Sequence, residues 1–478
     1  MTTDPFNFSA CTSVLAGSKA TADGSTFIGR NEDAKTAWPK HFVIHAHTEF
    51  EQSPLFESPD NHFKMPLPKI RGKYSATPEW TPKFGIFEED GFNEYGVAMS
   101  ATESAYANSR VLSYDPLLTE NGIGEEAIVT ITLPYIHSAK EGVSYLGSLI
   151  EKYGSSETNG VLFSDQKNVW YMEIATGHHW VAQRIPDDSY AVVANQLAIQ
   201  EINFTDSANF MFSSGIQKFV SDNHLNNQKD SFNFRDIFGT HDQSDAIYST
   251  PRVWYGQLLL TPSVASQDPM SMNLPFIRQA DHLIQREDLE QILGSHFQGT
   301  QYDPIGTGSI SDKHKFRPIS LAKTQESHIL QIRPDLPFEI GGIHWLSMGV
   351  TAQSVYVPFF AGITDTPENY KIGTDVYDDK SAYWLYKQLG ILVDSHYLEF
   401  GSLLKDLQKD LLSQFNASVK WIQTESISKS GTELTDFLTK ENLKITEAAE
   451  IKVKALISQL ITLSTDLSPL NFKTDQNL

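Results

Sequence analysis

One cysteine, Cys11, is all the chain offers for thiol chemistry. A single thiol excludes an intrachain disulfide and any multi-cysteine metal site, and it suits a reducing compartment. Long apolar runs are missing too: none approaches the ~20 residues that a membrane-spanning helix needs. The amino terminus, MTTDPFNFSA, has neither a basic n-region nor an apolar h-region, which argues against a secretory signal. Phe8-Ser9-Ala10-Cys11 faintly resembles a lipoprotein processing site, but the apolar stretch such a site requires does not precede it. Positive charge is scarce, with 37 Lys and Arg against 59 Asp and Glu and a net charge of −22. Such a surface repels phosphate backbones and anionic lipid, so neither nucleic acid nor a membrane is an expected partner. Sequons begin at Asn7, Asn203 and Asn416; they would matter only in a secreted protein, and a cytoplasmic location is the expectation.

Common catalytic signatures are absent as well. There is no Gly-X-Ser-X-Gly elbow, no His-Glu-X-X-His, no Walker A loop and no Gly-X-Gly-X-X-Gly. His178-His179 is the most metal-like pair. Neighbours in a strand point to opposite faces, so the plainer reading is one core and one surface histidine. No metal and no cofactor is expected, which favours a cofactor-free hydrolase.

What the chain does have is apolar substance: 478 residues, 40% hydrophobic and 11% aromatic, enough for a sizeable core. Average domain sizes would divide that length into two or three units, although large layered α/β enzymes use it as one. Val14 to Ala16 and Thr26 to Ile28 read as strands around the turn Ala22-Asp23-Gly24-Ser25, with Phe42 to His47 next. Pro54, Pro59, Pro66, Pro68, Pro78 and Pro82 mark 52–83 as an excursion over the surface. A strand over 92–101 and a helical zone from Gly124 to Tyr153 follow. Val169 to Ile174, His179 to Arg184 and Tyr190 to Ala194 suggest an antiparallel meander. Apolar spacing predicts helices over Tyr383 to Phe415 and Leu434 to Leu463, separated by a loop near Ser426 to Gly431. Packing of this hairpin on its own subunit is the simple expectation, and a homo-oligomer contact is the alternative.

Cys11 lies at the start of β structure, and the next strand closes on Gly29-Arg30-Asn31-Glu32-Asp33. Removal of Met1 to Ala10 would give Cys11 a free α-amino group. A thiol needs a base to become a nucleophile, and an α-amine with a pKa near ~7.7–8.0 can serve without any histidine. Arg30 would then lower the thiol pKa and Asp33 would hold the ammonium. Residues three apart in a regular strand face opposite ways, so both reach Cys11 only if the strand ends or bends near Asn31-Glu32. On the residues alone the bland readings stay open: a lone cysteine is often a buried small hydrophobe, and Arg30 with Asp33 an ordinary strand-end ion pair.

Cys11-Thr12-Ser13, Asp23-Gly24-Ser25 and Gly29 to Asp33 together resemble the C69 family of cysteine dipeptidases, typified by the dipeptidase A enzymes of lactic acid bacteria. The resemblance continues through Gly91 to Ala101, His178 to Ala182, Pro186 to Asp188, Ala194 to Gln196 and Pro251 to Trp254. It returns at Gly299 to Pro304 and Ser354 to Phe359. It implies an α+β fold, the four-layer αββα sandwich of the N-terminal-nucleophile hydrolases, which include bile salt hydrolases and penicillin V acylases, here with a C-terminal helical extension. It implies a propeptide over 1–10, a hydrolase domain over 11–380 and a helical hairpin over 381–478. By the same resemblance the substrates are dipeptides, split through a thioester: Cys11 is the nucleophile, its amine the base, and Arg30 and Asp33 act as above. Asn195 would supply an oxyanion-hole amide, Arg252 would be a second active-site arginine, and a backbone N–H near Glu103 would be the other oxyanion donor. Read without the resemblance, Asn195 is a strand-terminating turn residue. Alternatives on the same scaffold are an amidase or acylase of non-peptide amides and a non-catalytic secernin-like protein.

Overall fold

A computed structural model describes residues 10–102, 105–228 and 231–471. The amino-terminal hairpin sets the frame. β1 (Ala10–Ala16) and β2 (Thr26–Asp33) pair antiparallel, with Cys11 opposite Glu32 and Ser13 opposite Arg30. Every residue of β2 is buried, the mark of a strand covered on both faces.

β3 (Asp90–Phe92) and β4 (Ala98–Thr102) come next. A tight turn divides them where the sequence suggested one strand over 92–101. Asn93 causes it: its Oδ1 accepts from the N–H groups of Tyr95 and Val97, each at 3.0 Å, and Gly96 supplies φ 89°. α1 (Glu125–Thr132) and α2 (Ala139–Tyr153) follow, the latter capped by Ser138 and ended by Gly154 at φ 78°. Then come β5 (Asn159–Ser164), β6 (Val169–Ile174), β7 (Trp180–Ile185), β8 (Tyr190–Val193) and β9 (Phe210–Phe212). α3 (Thr250–Leu260), β10 (Ile277–Arg278) and α4 (Arg286–Leu293) lead to β11 (Thr324–Ile332), β12 (Gly342–Met348) and β13 (Val357–Phe360). The chain closes with α5 (Ala382–Ser395), α6 (Tyr397–Ser426) and α7 (Gly431–Asp466).

Seven strands form one sheet in the order β10-β8-β1-β2-β11-β12-β13, and six form another, β9-β7-β6-β5-β4-β3. The expected three-strand meander is therefore split. β6 and β7 pair with each other, but β8 crosses to β1, with Ser13 opposite Val193. The corner at Pro186 to Ser189 does this, and a turn signal in sequence cannot distinguish a hairpin from a crossover. That crossover carries Asn195 toward Cys11.

Period-two alternation sorts the side chains into three apolar clusters. Leu15, Ile28, Ala98, Leu162, Val193 and Leu330 fill the space between the sheets. Met99, Val143, Phe163 and Trp170 join the six-stranded sheet to α1 and α2. Val14, Phe27, Leu289, Leu346, Leu385 and Leu438 join the seven-stranded sheet to α4 and α5–α7. Asn442 of α7 also bonds to β13, with Nδ2 donating to Pro358 O at 2.6 Å and Oδ1 accepting from Phe360 N at 3.0 Å. The helix expected from Tyr383 to Phe415 is broken at His396 into α5 and α6. The proline-rich stretch forms two-stranded ribbons rather than plain loop: Leu55–Glu57 pairs with Lys64–Pro66, Thr48–Glu49 with Ile70–Arg71, and Val43–His45 with Tyr74–Ala76. Among the described residues no helix is long and apolar enough to cross a membrane.

Candidate active site

The register of the first hairpin brings Arg30 to Cys11. Cys11 faces Glu32, so Arg30 is its diagonal neighbour on the same face, a gap of roughly 7–8 Å that a long side chain spans. No bend is needed. Arg30 Nη1 lies 3.1 Å from Cys11 Sγ. Nε donates to Ser100 Oγ at 2.9 Å, Nη2 pairs with Glu89, and Glu125 Oε1 is 3.8 Å from Nη1. The pair is sealed, with Cys11 2% exposed and Arg30 0%. Burial opposes the arginine's charge, but Cys11, Glu89 and Glu125 more than offset it, so the guanidinium stays charged. The thiol pKa lies above its ordinary value on balance: burial raises it most, Arg30 and the Thr102 hydroxyl pull it down, and Asp33 and Glu89 add to the rise. Arg30 is thus the main group that favours a thiolate here.

Asp33 lies on the other face of β2, as the period of two requires. It pairs with Ala10 across the hairpin, at a point where the register between β2 and β11 shifts between Thr324 and Glu326. There its carboxylate accepts from Arg317 Nη2 and Thr324 Oγ1. Asp33 stands opposite Ala10, on the face of the hairpin away from the Cys11 thiol, and neither of these partners was foreseen from the sequence.

Asn195 and Arg252 meet at Cys11 from the helical side. Continuing the pairing of Ser13 with Val193 puts Asn195 level with Cys11, just beyond the end of β8. Its backbone carbonyl accepts from Ser249 Oγ at 3.1 Å. A π-helical turn, Asp245–Ser249, precedes α3 and places Arg252. Arg252 Nη1 donates to Cys11 O at 2.7 Å and Thr12 Oγ1 at 2.9 Å, and Nη2 donates to Asn195 Oδ1 at 2.5 Å. Desolvation, with Arg317 nearby, lowers the Arg252 pKa to about 9. The amide orientation of Asn195 is fixed by this arginine, because a guanidinium only donates. Asn195 Nδ2 is therefore turned away, buried, and without an acceptor among the described residues. A buried donor without an acceptor is costly, so this N–H is available to an incoming acceptor.

The structure thus gathers Cys11, Arg30, Asn195 and Arg252 by direct contact, with Asp33 at the adjoining strand position. Glu103 lies outside the described residues. His178 and His179 are not a chelating pair: both are half-buried in the turn before β7, bonded to Asp115 and Ser213 at 2.8 and 2.9 Å. Asp90, Glu326 and His328 offer ligand atoms within 4.8 Å of one another, and hydrogen bonding accounts for their approach, His328 Nδ1 lying 3.0 Å from Glu326 Oε1. The sequence reading did not single out Glu89, Ser100, Glu125, Arg317 and His328, which surround this cluster. One signal was available, the acidic run Glu88-Glu89-Asp90 leading into the glycine of Gly91-Phe92. Gly91 is required there, since a Cβ would stand 1.9 Å from the Ser75 carbonyl oxygen, and Glu89 is held at φ 49°. A surface cavity of about 350 Å³ opens elsewhere, between α4 and α6, and no residue of this cluster lines it.

Residues 10–410 match the sequence model described as peptidase family C69. A "probable dipeptidase" of Latilactobacillus sakei is 46% identical over 479 residues, covering 100% of each chain. "Dipeptidase A" of Lactobacillus helveticus is 37% identical and covers 97% of this chain and 98% of its own. The solved structure of penicillin V acylase from Agrobacterium tumefaciens matches at 13% identity with a TM-score of 0.30, covering 73% of this chain and 85% of that one, too slight a likeness to bear on the fold.

Proposed function

The chain belongs to peptidase family C69, and from that premise we propose that it is a dipeptidase with Cys11, as a mature amino terminus, for its nucleophile. The observation that carries this reading is the Arg30 guanidinium, 3.1 Å from the sulfur of the chain's one cysteine. Relatives named as dipeptidases over their full length support the substrate class. The two sheets, with helices packed on both outer faces, fit the four-layer αββα sandwich of N-terminal-nucleophile hydrolases. In this proposal 1–10 is a propeptide, 11–380 the hydrolase domain and 381–478 a helical hairpin, in a cytoplasmic protein.

The chemistry runs in two halves. The α-amine of Cys11 takes the thiol proton, and Arg30 stabilises the thiolate. Sulfur attacks the scissile carbonyl carbon, a C–S bond forms, and the oxyanion accepts from Asn195 Nδ2. The α-ammonium returns its proton to the leaving amine as the C–N bond breaks. Water, giving a proton to the same amine, then attacks the thioester, and the C–S bond breaks to free the second product and the thiol. Release of residues 1–10 starts without that base: Cys11 Sγ attacks the Ala10 carbonyl, a C–S bond forms as the Ala10–Cys11 C–N bond breaks, the thiol proton passes to the freed Cys11 nitrogen, and water then hydrolyses the thioester. Asp33, beside that bond, holds the new ammonium. Arg252 anchors the Cys11 carbonyl and orients Asn195.

Purified protein is expected to hydrolyse dipeptides with free amino termini and to leave conjugated bile salts intact, as read by amino-acid and bile-acid release. Release of bile acid without dipeptide hydrolysis would replace this reading with an acylase.

A further inference from the structure

Arg30 is held from a second direction, by groups that the chemistry above does not use. Two cross-strand pairs face each other between the sheets. Arg30 is directly opposite His328 in the β2–β11 register, and Ser100 is directly opposite Asp90 in the β4–β3 register. Their side chains connect. Arg30 Nε can only donate, so at 2.9 Å Ser100 Oγ is its acceptor. The Ser100 hydroxyl proton is then free for His328 Nε2, 3.0 Å away. That leaves the His328 ring proton on Nδ1, which faces Glu326 Oε1 at 3.0 Å and Asp90 Oδ2 at 3.2 Å. Beyond it, His344 Nε2 is 3.2 Å from Asp90 Oδ1, and Thr77 donates to Asp90 Oδ2. Ser100, His328, Glu326 and Asp90 are each 0% exposed.

We propose that Ser100 and His328 are positioning residues that fix the Arg30 guanidinium against the Cys11 sulfur, a role that rests on Cys11 being the nucleophile. Glu89 and Ser100 hold two edges of the guanidinium, so the third, Nη1, points at Sγ. Without the Ser100 acceptor the fork can rotate toward Glu89 and Glu125. The direction of the chain matters. A neutral His328 with its proton on Nδ1 accepts from Ser100 and leaves the hydroxyl oxygen to Arg30. An imidazolium would present an N–H to that same oxygen and add a like charge beside the guanidinium. Burial keeps the ring neutral, with its pKa lowered to about 4.

The test uses the fact that one cysteine carries all thiol reactivity. Iodoacetamide alkylation of the purified protein is followed against pH for wild type, Ser100→Ala and His328→Leu, beside kcat and KM on a dipeptide. The expected result is an alkaline shift of the alkylation profile and a drop of about 10–100-fold in kcat with little change in KM, the cost of losing a buried bond to a charged group. Ser100→Thr and His328→Gln, which keep an acceptor or a hydroxyl in place, are expected to recover most of it. Variants that melt lower but keep the wild-type alkylation profile and kcat would overturn the proposal in favour of a merely structural cross-link. So would one equivalent of transition metal bound to the wild-type protein. Nitrogen NMR of the wild-type histidine rings needs no variant to fold. A His328 ring protonated on Nδ1 and not titrating between pH 5 and 8 is expected, and a titrating ring contradicts it. The alkylation profile needs no substrate, so failure of the dipeptidase reading would show separately, as absent hydrolysis by wild type.

Discussion

Cys11→Ala is expected to leave no measurable dipeptide hydrolysis, a loss on the order of a millionfold in kcat, because one sulfur atom forms and breaks every covalent bond to substrate. The same variant is expected to keep residues 1–10, since the attack on the Ala10 carbonyl uses that sulfur too. Cys11→Ser separates the two parts of the idea. Its hydroxyl can occupy the position beside Arg30, but an α-amine with a pKa near ~7.7–8.0 is a poor base for an alcohol, so severe loss with a trace of activity is the outcome. The fold should survive both changes, because the Arg30 guanidinium keeps Glu89, Glu125 and Ser100 as partners. Progress curves on a dipeptide and an intact mass of each variant check the pair. Full activity in purified Cys11→Ala would end the proposal.

The second large effect belongs to Asn195. Its Nδ2 is a buried donor with no acceptor among the described residues, aimed by the Arg252 bond to Oδ1. Asn195→Ala is expected to lower kcat by about 100–1,000-fold with little change in KM, the usual loss when one oxyanion donor is removed. Asn195→Asp isolates the cause. A carboxylate still accepts from Arg252 and keeps the site assembled, but it offers no N–H and repels the developing oxyanion. Its kcat should fall at least as far as that of the alanine variant while its melting temperature stays near wild type. If instead Asn195→Asp were fully active, Asn195 would be an anchor for Arg252 and nothing more.

Much of the site was legible because strand periodicity is strict. Cys11, Arg30 and Asp33 stand on one hairpin, and the rule that alternate residues change face anticipates what is seen: Arg30 meets the thiol between the sheets, and Asp33 turns the other way to Arg317 and Thr324. Asn195 and Arg252 came from the resemblance, and the crossover of β8 that brings Asn195 level with Cys11 was read as a meander. The supporting shell was hidden for a different reason. β11 reads Thr-Gln-Glu-Ser-His-Ile-Leu-Gln-Ile and is buried throughout, yet Glu326, Ser327 and His328 give it no apolar signature. Buried polar residues that satisfy one another look like surface in a sequence. Glu89 and Ser100 share that disguise, and only the pairing of the sheets shows where they point. The helical hairpin was easier, since long amphipathic runs carry their own period, although the break at His396 was not anticipated.

All of these roles depend on the bond that precedes Cys11. The chain as described still runs through Ala10 in β1, where Ala10 stands opposite Asp33. Only its cleavage creates the amine that acts as base. The most direct measurement is the intact mass and amino-terminal sequence of catalytically active protein expressed from Met1. The active species is expected to begin at Cys11 and to lack residues 1–10. Active protein that retains Met1 or Thr2 would contradict the proposal, because the thiol would then have no α-amine beside it.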